Sequence, residues 1–91
     1  MDTLLIIRQN YSSFTTVEKK IADYIFEVGE KMLEKSAQEV AGEIGSSSAA
    51  LVRFSRKLGY DGFSQFKQKL SASYAAHVDD EEYYKEVNDS E

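Results

Sequence analysis

The 91-residue chain contains no cysteine, no proline and no tryptophan, and it has a single histidine. Without cysteine there is no disulfide framework and no thiolate zinc site, which fits a reducing compartment. With one histidine, His77, neither a His–Cys set nor a Ser–His–Asp arrangement can be assembled, so enzymatic activity is not expected. The acids Asp79, Asp80, Glu81 and Glu82 lack the spacing of a calcium loop, and no metal or cofactor is expected. Long apolar runs are missing as well. No segment approaches the roughly 18 consecutive apolar residues of a membrane span. The start of the chain, Met1–Ile7, has an apolar run of four and no basic segment ahead of it, so it does not read as a signal peptide. The expected location is the cytoplasm.

Positive charge is also scarce overall, with a formal net charge of −5, but the deficit is local. Residues 1–76 carry ten Lys/Arg against nine Asp/Glu, whereas residues 77–91 carry one Lys against seven acids. Between Ser46 and Leu70 there are five basic residues and one acid, Asp61. The chain thus combines a near-neutral body, one basic zone and an acidic tail. Attraction to an anionic partner depends on the field at the contact face, so the acidic total does not exclude nucleic acid.

What is present is apolar spacing of the helical kind, enough for one small domain, with no alternating strand pattern of useful length. The expected fold is all-α, a bundle of about five helices. Asp2–Asn10 reads as a short helix with Asp2 or Thr3 as its cap. Thr15 and Glu18 form a T-x-x-E capping box that opens a helix through Val28, with Val17, Ile21, Tyr24, Ile25 and Val28 as its core stripe and Gly29 as its stop. Glu30–Lys35 fits one further turn that buries Met32 and Leu33. Ser36 and Glu39 repeat the box, ahead of Val40, Ala41 and Ile44, and Gly45 supplies a C-terminal stop. Ser47 caps a helix to Leu58 in which Leu51, Phe54 and Leu58 share one side. A last helix from about Gly62 to Ala76 places Phe63, Phe66, Leu70 and Tyr74 on one face.

Two short helices joined by a tight turn at Gly45 follow the helix-turn-helix plan. Small Ala41 lets the second helix cross closely. With Leu51 and Phe54 facing inward, the opposite face carries Ser48, Ala49, Val52, Arg53, Arg56 and Lys57. Small residues at the start of that helix suit close approach to a major groove. Ser47 and Ser48 are placed to bond phosphates or base edges, and the first amides favour a phosphate. Arg53 lies one turn in, within reach of a guanine edge or a phosphate. Arg56 and Lys57 lie further along, among backbone phosphates. Helical hairpins without DNA-binding activity share the same spacing, and on that reading the basic residues are an ordinary solvated face.

The segments FTTVEKKIADYIFE and SAQEVAGEIGSSSAALVRFSRKLGYDGFSQFKQKL narrow this. From about Ile6 to Tyr74 the chain resembles the N-terminal domain of the RpiR/MurR family of bacterial transcriptional regulators. The run VRFSRKLGYDGFSQFK is similar to the family's V-R-F-x-R-x-L-G-(F/Y)-x-G-F-x-x-F-K signature. The resemblance implies a winged-helix-like or homeodomain-like, all-helical DNA-binding domain over residues 1–76. It implies a homodimer that reads a palindromic operator in double-stranded DNA, with recognition helices roughly 34 Å apart. It also implies control of sugar or phosphosugar metabolism genes, with a phosphosugar effector acting through a sugar-isomerase-type C-terminal domain that this chain lacks. Carried over by position, Ser47 and Ser48 start the recognition helix, Arg53 matches the family's arginine before Phe54, and Lys67 matches the lysine after Phe66. Ser46, grouped with the DNA-contacting residues, stands where an apolar turn residue is usual, a departure expected to loosen the turn. Ala50 stands where Thr is common, which removes a hydroxyl.

Several residues carry two readings. Lys67 either bonds a phosphate or fixes the last helix. Phe54, Phe63 and Phe66 lie on inward faces and read as core rather than as a base-stacking platform. Leu4–Ile7 either completes the core or supplies a dimer contact. The tail 77–91 reads as a solvated linker, with competition for the basic face as the sharper alternative. The rival function is a helical protein-interaction module that uses the apolar first helix and the acidic tail and binds no DNA.

Overall fold

The computed structural model describes residues 2–76; His77 and the acidic tail lie outside the described residues. Five helices occur there: α1 (Thr3–Asn10), α2 (Thr16–Val28), α3 (Ala37–Ile44), α4 (Ser48–Lys57) and α5 (Phe63–Ala76). Two 3₁₀ turns, Tyr11–Ser13 and Gly29–Glu34, join α1 to α2 and α2 to α3. No strand is found among the described residues, so any likeness to winged-helix domains lies in the helices alone.

Local chemistry places the helix starts. Asp2 accepts the Leu5 amide at the head of α1. Thr15 with Glu18, and Ser36 with Glu39, each form a complete reciprocal capping box, which satisfies two otherwise unpaired amide donors. Ser47 accepts the Ala50 amide at 3.2 Å to start α4. The end of α4 is a Schellman turn. The Tyr60 amide returns to the Ser55 carbonyl and the Gly59 amide to the Arg56 carbonyl, each at 3.0 Å, with Gly59 at φ 102°.

The centre of the molecule is a run of rings. Phe14 meets Phe54 edge-on at 5.3 Å between centroids, Phe54 meets Phe66 at 5.8 Å, and Tyr60 and Phe63 flank Phe66 at 5.6 and 6.1 Å. The first three pairs are edge-to-face and the Phe63–Phe66 pair is stacked, and such ring packing adds to the burial of the rings themselves. Phe54, Phe63 and Phe66 are buried core residues, as their helical spacing indicates. Around them α4 packs against α2, α3 and α5, and α1 lies along α5. Ile21, Ala22, Ile25, Met32, Val40, Leu51 and Leu70 complete the core.

One member of the expected α2 stripe is misplaced. Val17 is 44% exposed, whereas Ala22 is fully buried. The inward direction of α2 runs through Ile21, Ala22 and Ile25, and on a helix that line passes through position 18 rather than 17. Phe14, ahead of the cap, is buried instead and packs on Phe54. Leu33, Ile44 and Leu58 are half-buried at the rim of the core.

α1 is fastened by polar contacts in addition to apolar ones. Leu4 and Ile7 enter the core, and the Ser73 hydroxyl bonds both the Leu4 amide, at 3.4 Å, and the Asp2 carboxylate. Buried Thr3 shares a 2.7 Å hydrogen bond with the Tyr60 hydroxyl, so α1 grips the turn that follows α4.

Candidate nucleic-acid interface

The turn between α3 and α4 is closed by backbone alone. Gly45 adopts a left-handed conformation (φ 78°, ψ 38°), where residues with a Cβ are strained. The Ala41 carbonyl accepts both the Gly45 amide, at 3.0 Å, and the Ser46 amide, at 2.8 Å. Neither bond uses the Ser46 side chain, which is half-buried beside the turn. Ala41 is buried at the crossing, as its small size requires.

Leu51 and Phe54 anchor α4 from below, with 0% and 1% of their surface exposed. Ala50 and Ser55 are also buried, and the Ser55 hydroxyl donates to the Leu51 carbonyl at 2.8 Å. Burial of Ala50 gives the small residue a packing reason that sequence inspection did not supply. The opposite side presents Ser47, Ala49, Arg53, Arg56 and Lys57 as exposed residues, while Ser46, Ser48 and Val52 are half-buried on the flanks. Ser47 spends a hydroxyl lone pair on its cap and keeps its own O–H as a donor.

The basic side chains on this side are not equivalent. Arg53 is exposed and has no intramolecular partner among the described residues. Arg56 donates its Nε–H to the Asp61 carbonyl at 3.0 Å, which fixes the start of its guanidinium to the α4–α5 turn. Lys57 reaches sideways to Glu18 of α2 at 2.9 Å, with its ammonium 5.7 Å from the Phe14 ring centroid. Its hydrogen bond holds the Glu18 carboxyl below the ordinary value for that group. Lys67 is not on α4 at all. It donates to the Lys35 carbonyl at 2.7 Å and lies over the Phe63 ring, which ties α5 to the entrance of α3.

A second polar cluster braces α3 from behind. Glu43 accepts from Lys35 at 2.8 Å and from the Tyr24 hydroxyl. Burial, and then the neighbouring Glu43 carboxylate, push the Tyr24 phenol up to about 12. Lys35 holds the Glu43 carboxyl below its ordinary value, and Glu43 raises Lys35 in return. Sequence inspection missed this cluster, and it missed Glu18. Their spacings of 8, 19 and 39 residues carry no local signal.

No helix among the described residues is long and apolar enough to cross a membrane, and no metal-ligating cluster of His, Asp and Glu occurs there.

The family model for the helix-turn-helix domain of the rpiR family matches residues 1–77. The uncharacterized HTH-type transcriptional regulator YfhH of Escherichia coli (strain K12) is 40% identical over 76 residues, which is 84% of this chain and 27% of that protein. A further uncharacterized HTH-type transcriptional regulator, from Caldanaerobacter subterraneus subsp. tengcongensis, is 42% identical over 74 residues, covering 81% of this chain and 26% of its own length. The chain thus spans about a quarter of the length of these curated relatives. Among solved structures, the N-terminal domain of ybbH from Bacillus subtilis subsp. subtilis str. 168 superposes with a TM-score of 0.77 at 31% identity, covering 82% of this chain and 92% of that one. With the capped α3, the left-handed Gly45 and the anchored α4 in place, this chain belongs to the rpiR family of helix-turn-helix domains found in transcriptional regulators.

Proposed function

We propose that the chain binds double-stranded DNA sequence-specifically through α4. The observation that carries this is the exposed face opposite Leu51 and Phe54, where small Ala49 and Arg53, which has no partner among the described residues, stand one helical turn apart. Small residues near the helix start admit close approach to the groove, and Arg53 is long enough to cross to a base edge. In this reading Ser47, Ser48, Ala49, Val52 and Arg53 approach the bases, with Ser46 at the turn beside them. Arg56, Lys57, Lys67 and the first amides of α4 set the register on phosphates.

The proposal extends to a two-fold dimer on a palindromic operator, with residues 1–76 as the DNA-binding unit. The outer side of α1, where Leu5 is 39% exposed beside buried Leu4, supports a contact between copies there. Control of sugar metabolism genes, with a phosphosugar effector sensed by a separate domain, follows from family resemblance and belongs to the proposal, as does a cytoplasmic location.

Fluorescence anisotropy with a random duplex pool at several salt concentrations tests the reading. Affinity should fall steeply with salt, and Arg53→Ala with Arg56→Ala should abolish it. A folded chain that binds no duplex at low salt would instead support the protein-interaction reading, with sensitivity at Leu4–Ile7 rather than at Arg53.

A further inference from the structure

Glu18 occupies an unusual position for an acid. The line through Ile21, Ala22 and Ile25 that faces the core passes through residue 18, so the carboxylate stands at the head of an inward stripe. Its side chain keeps only 19% of its exposure. There its Oε1 atom takes two donors at once, the Thr15 amide at 2.8 Å and the Lys57 ammonium at 2.9 Å. Capping alone does not need the charge, because glutamine serves in the same box. The charge matters to Lys57, the last cation of α4, which is held against α2 instead of extending from the face that carries Arg53.

A carboxylate and a DNA phosphate offer an ammonium the same thing, an anionic oxygen at hydrogen-bond distance. Lys57 retains 45% of its side-chain exposure, so it can change partners without unfolding anything. Building on the DNA-binding reading above, we propose that Glu18 is an internal competitor for the phosphate that Lys57 would hold, an autoinhibitory contact that lowers affinity for all sequences alike. The competitor is built into the helix start by the capping box, so it is present in every folded molecule. Arg53, nearer the start of α4 and without such a partner among the described residues, keeps its reach to the bases, so discrimination is unaffected.

The experiment compares duplex binding by the full chain and by Glu18→Gln, Lys57→Met, the double variant and Glu27→Gln, at matched salt. Glu27 is exposed at the far end of α2 and measures the plain effect of deleting a negative charge. Glu18→Gln should tighten binding by about two- to fivefold, the range of a partly exposed ion pair. The gain should vanish in the Lys57→Met background and exceed that of Glu27→Gln. An equal gain without Lys57, or from Glu27→Gln, overturns the proposal, as does weaker binding by Glu18→Gln. A readout needing no variant is the carbon-13 titration of the Glu18 carboxyl. Its midpoint should rise toward the ordinary value when DNA is added, and an unchanged midpoint in the bound state overturns the exchange. If the unaltered chain binds no DNA at low salt, the DNA-binding reading falls first and this inference falls with it. Binding that ignores Glu18 removes the inference alone.

Discussion

The ammonium of Lys67, on α5, donates to the backbone carbonyl of Lys35, the residue that ends the 3₁₀ turn just ahead of the α3 cap, at 2.7 Å. A side chain that matches the closing lysine of the family signature is therefore also a brace. It holds the segment that enters α3 against α5.

That brace makes Lys67 a test of two roles. Lys67→Met keeps the apolar stem but removes the charged donor. A partly buried hydrogen bond from a charged group is worth about 1–2 kcal/mol, and the urea midpoint should fall accordingly. If Lys67 also holds a phosphate, the slope of log affinity against log salt should decrease in magnitude by about one. A lowered midpoint with an unaltered slope would leave the brace as its whole role.

Gly45 controls the turn. Its positive φ puts a Cβ in a strained region, although a Cβ there would meet no atom within 4 Å. Gly45→Ala should thus cost about 1–2 kcal/mol through the backbone alone, with Gly45→Asn costing less. Urea unfolding gives the size. Under conditions where both variants are folded, DNA affinity should match that of the unaltered chain.

Arg53 separates base reading from phosphate contact. If Arg53 bonds a base edge, Arg53→Ala should lose about 1–3 kcal/mol of discrimination at one base pair. Selection from a random pool before and after the change measures this. Equal weakening across all sequences would reassign Arg53 to the phosphates.

Alkaline pH should expose the brace behind α3. The folded state holds the Tyr24 phenol up to about 12, above its ordinary value of 10.0. A raised folded value means that this contribution to stability is fully present below the unfolded value and is lost as pH rises from 10 toward 12. The raised Lys35 acts in the same sense, its contribution fading as pH climbs past its ordinary value. Tyr24→Phe should flatten the alkaline decline of the urea midpoint. Glu18 acts at the other end. Its lowered value means stability present above the ordinary 4.5 and lost as pH falls through the folded value, and Lys57→Met should weaken that acid dependence.

The helices were legible because their signals are local. Two capping boxes, an αL glycine and apolar residues three and four apart each act within a turn or two of chain, and α2, α3 and α4 start and stop where those signals stand. The exposed side of α4 was legible by exclusion, since burying Leu51 and Phe54 forces Ala49 and Arg53 outward. Val17 was misjudged because a stripe read by spacing alone leaves its centre undetermined by a residue or so, and the centre depends on what α2 packs against. α2 packs against α3, α4 and the Gly29–Glu34 turn, partners that spacing does not reveal.

What the sequence determined by itself, then, is the set of helices, their ends, the tight turn and which side of α4 is apolar, because capping and amphipathic spacing act between near neighbours. Only the tertiary structure decided how the basic residues are used. Lys57 meets Glu18 across 39 residues, Lys67 meets Lys35 across 32, and Arg53 meets no partner among the described residues. Those pairings depend on where α2 and α5 are carried by the packing of Phe14, Phe54 and Phe66, and a charge acts on whatever the fold brings within a few ångströms of it.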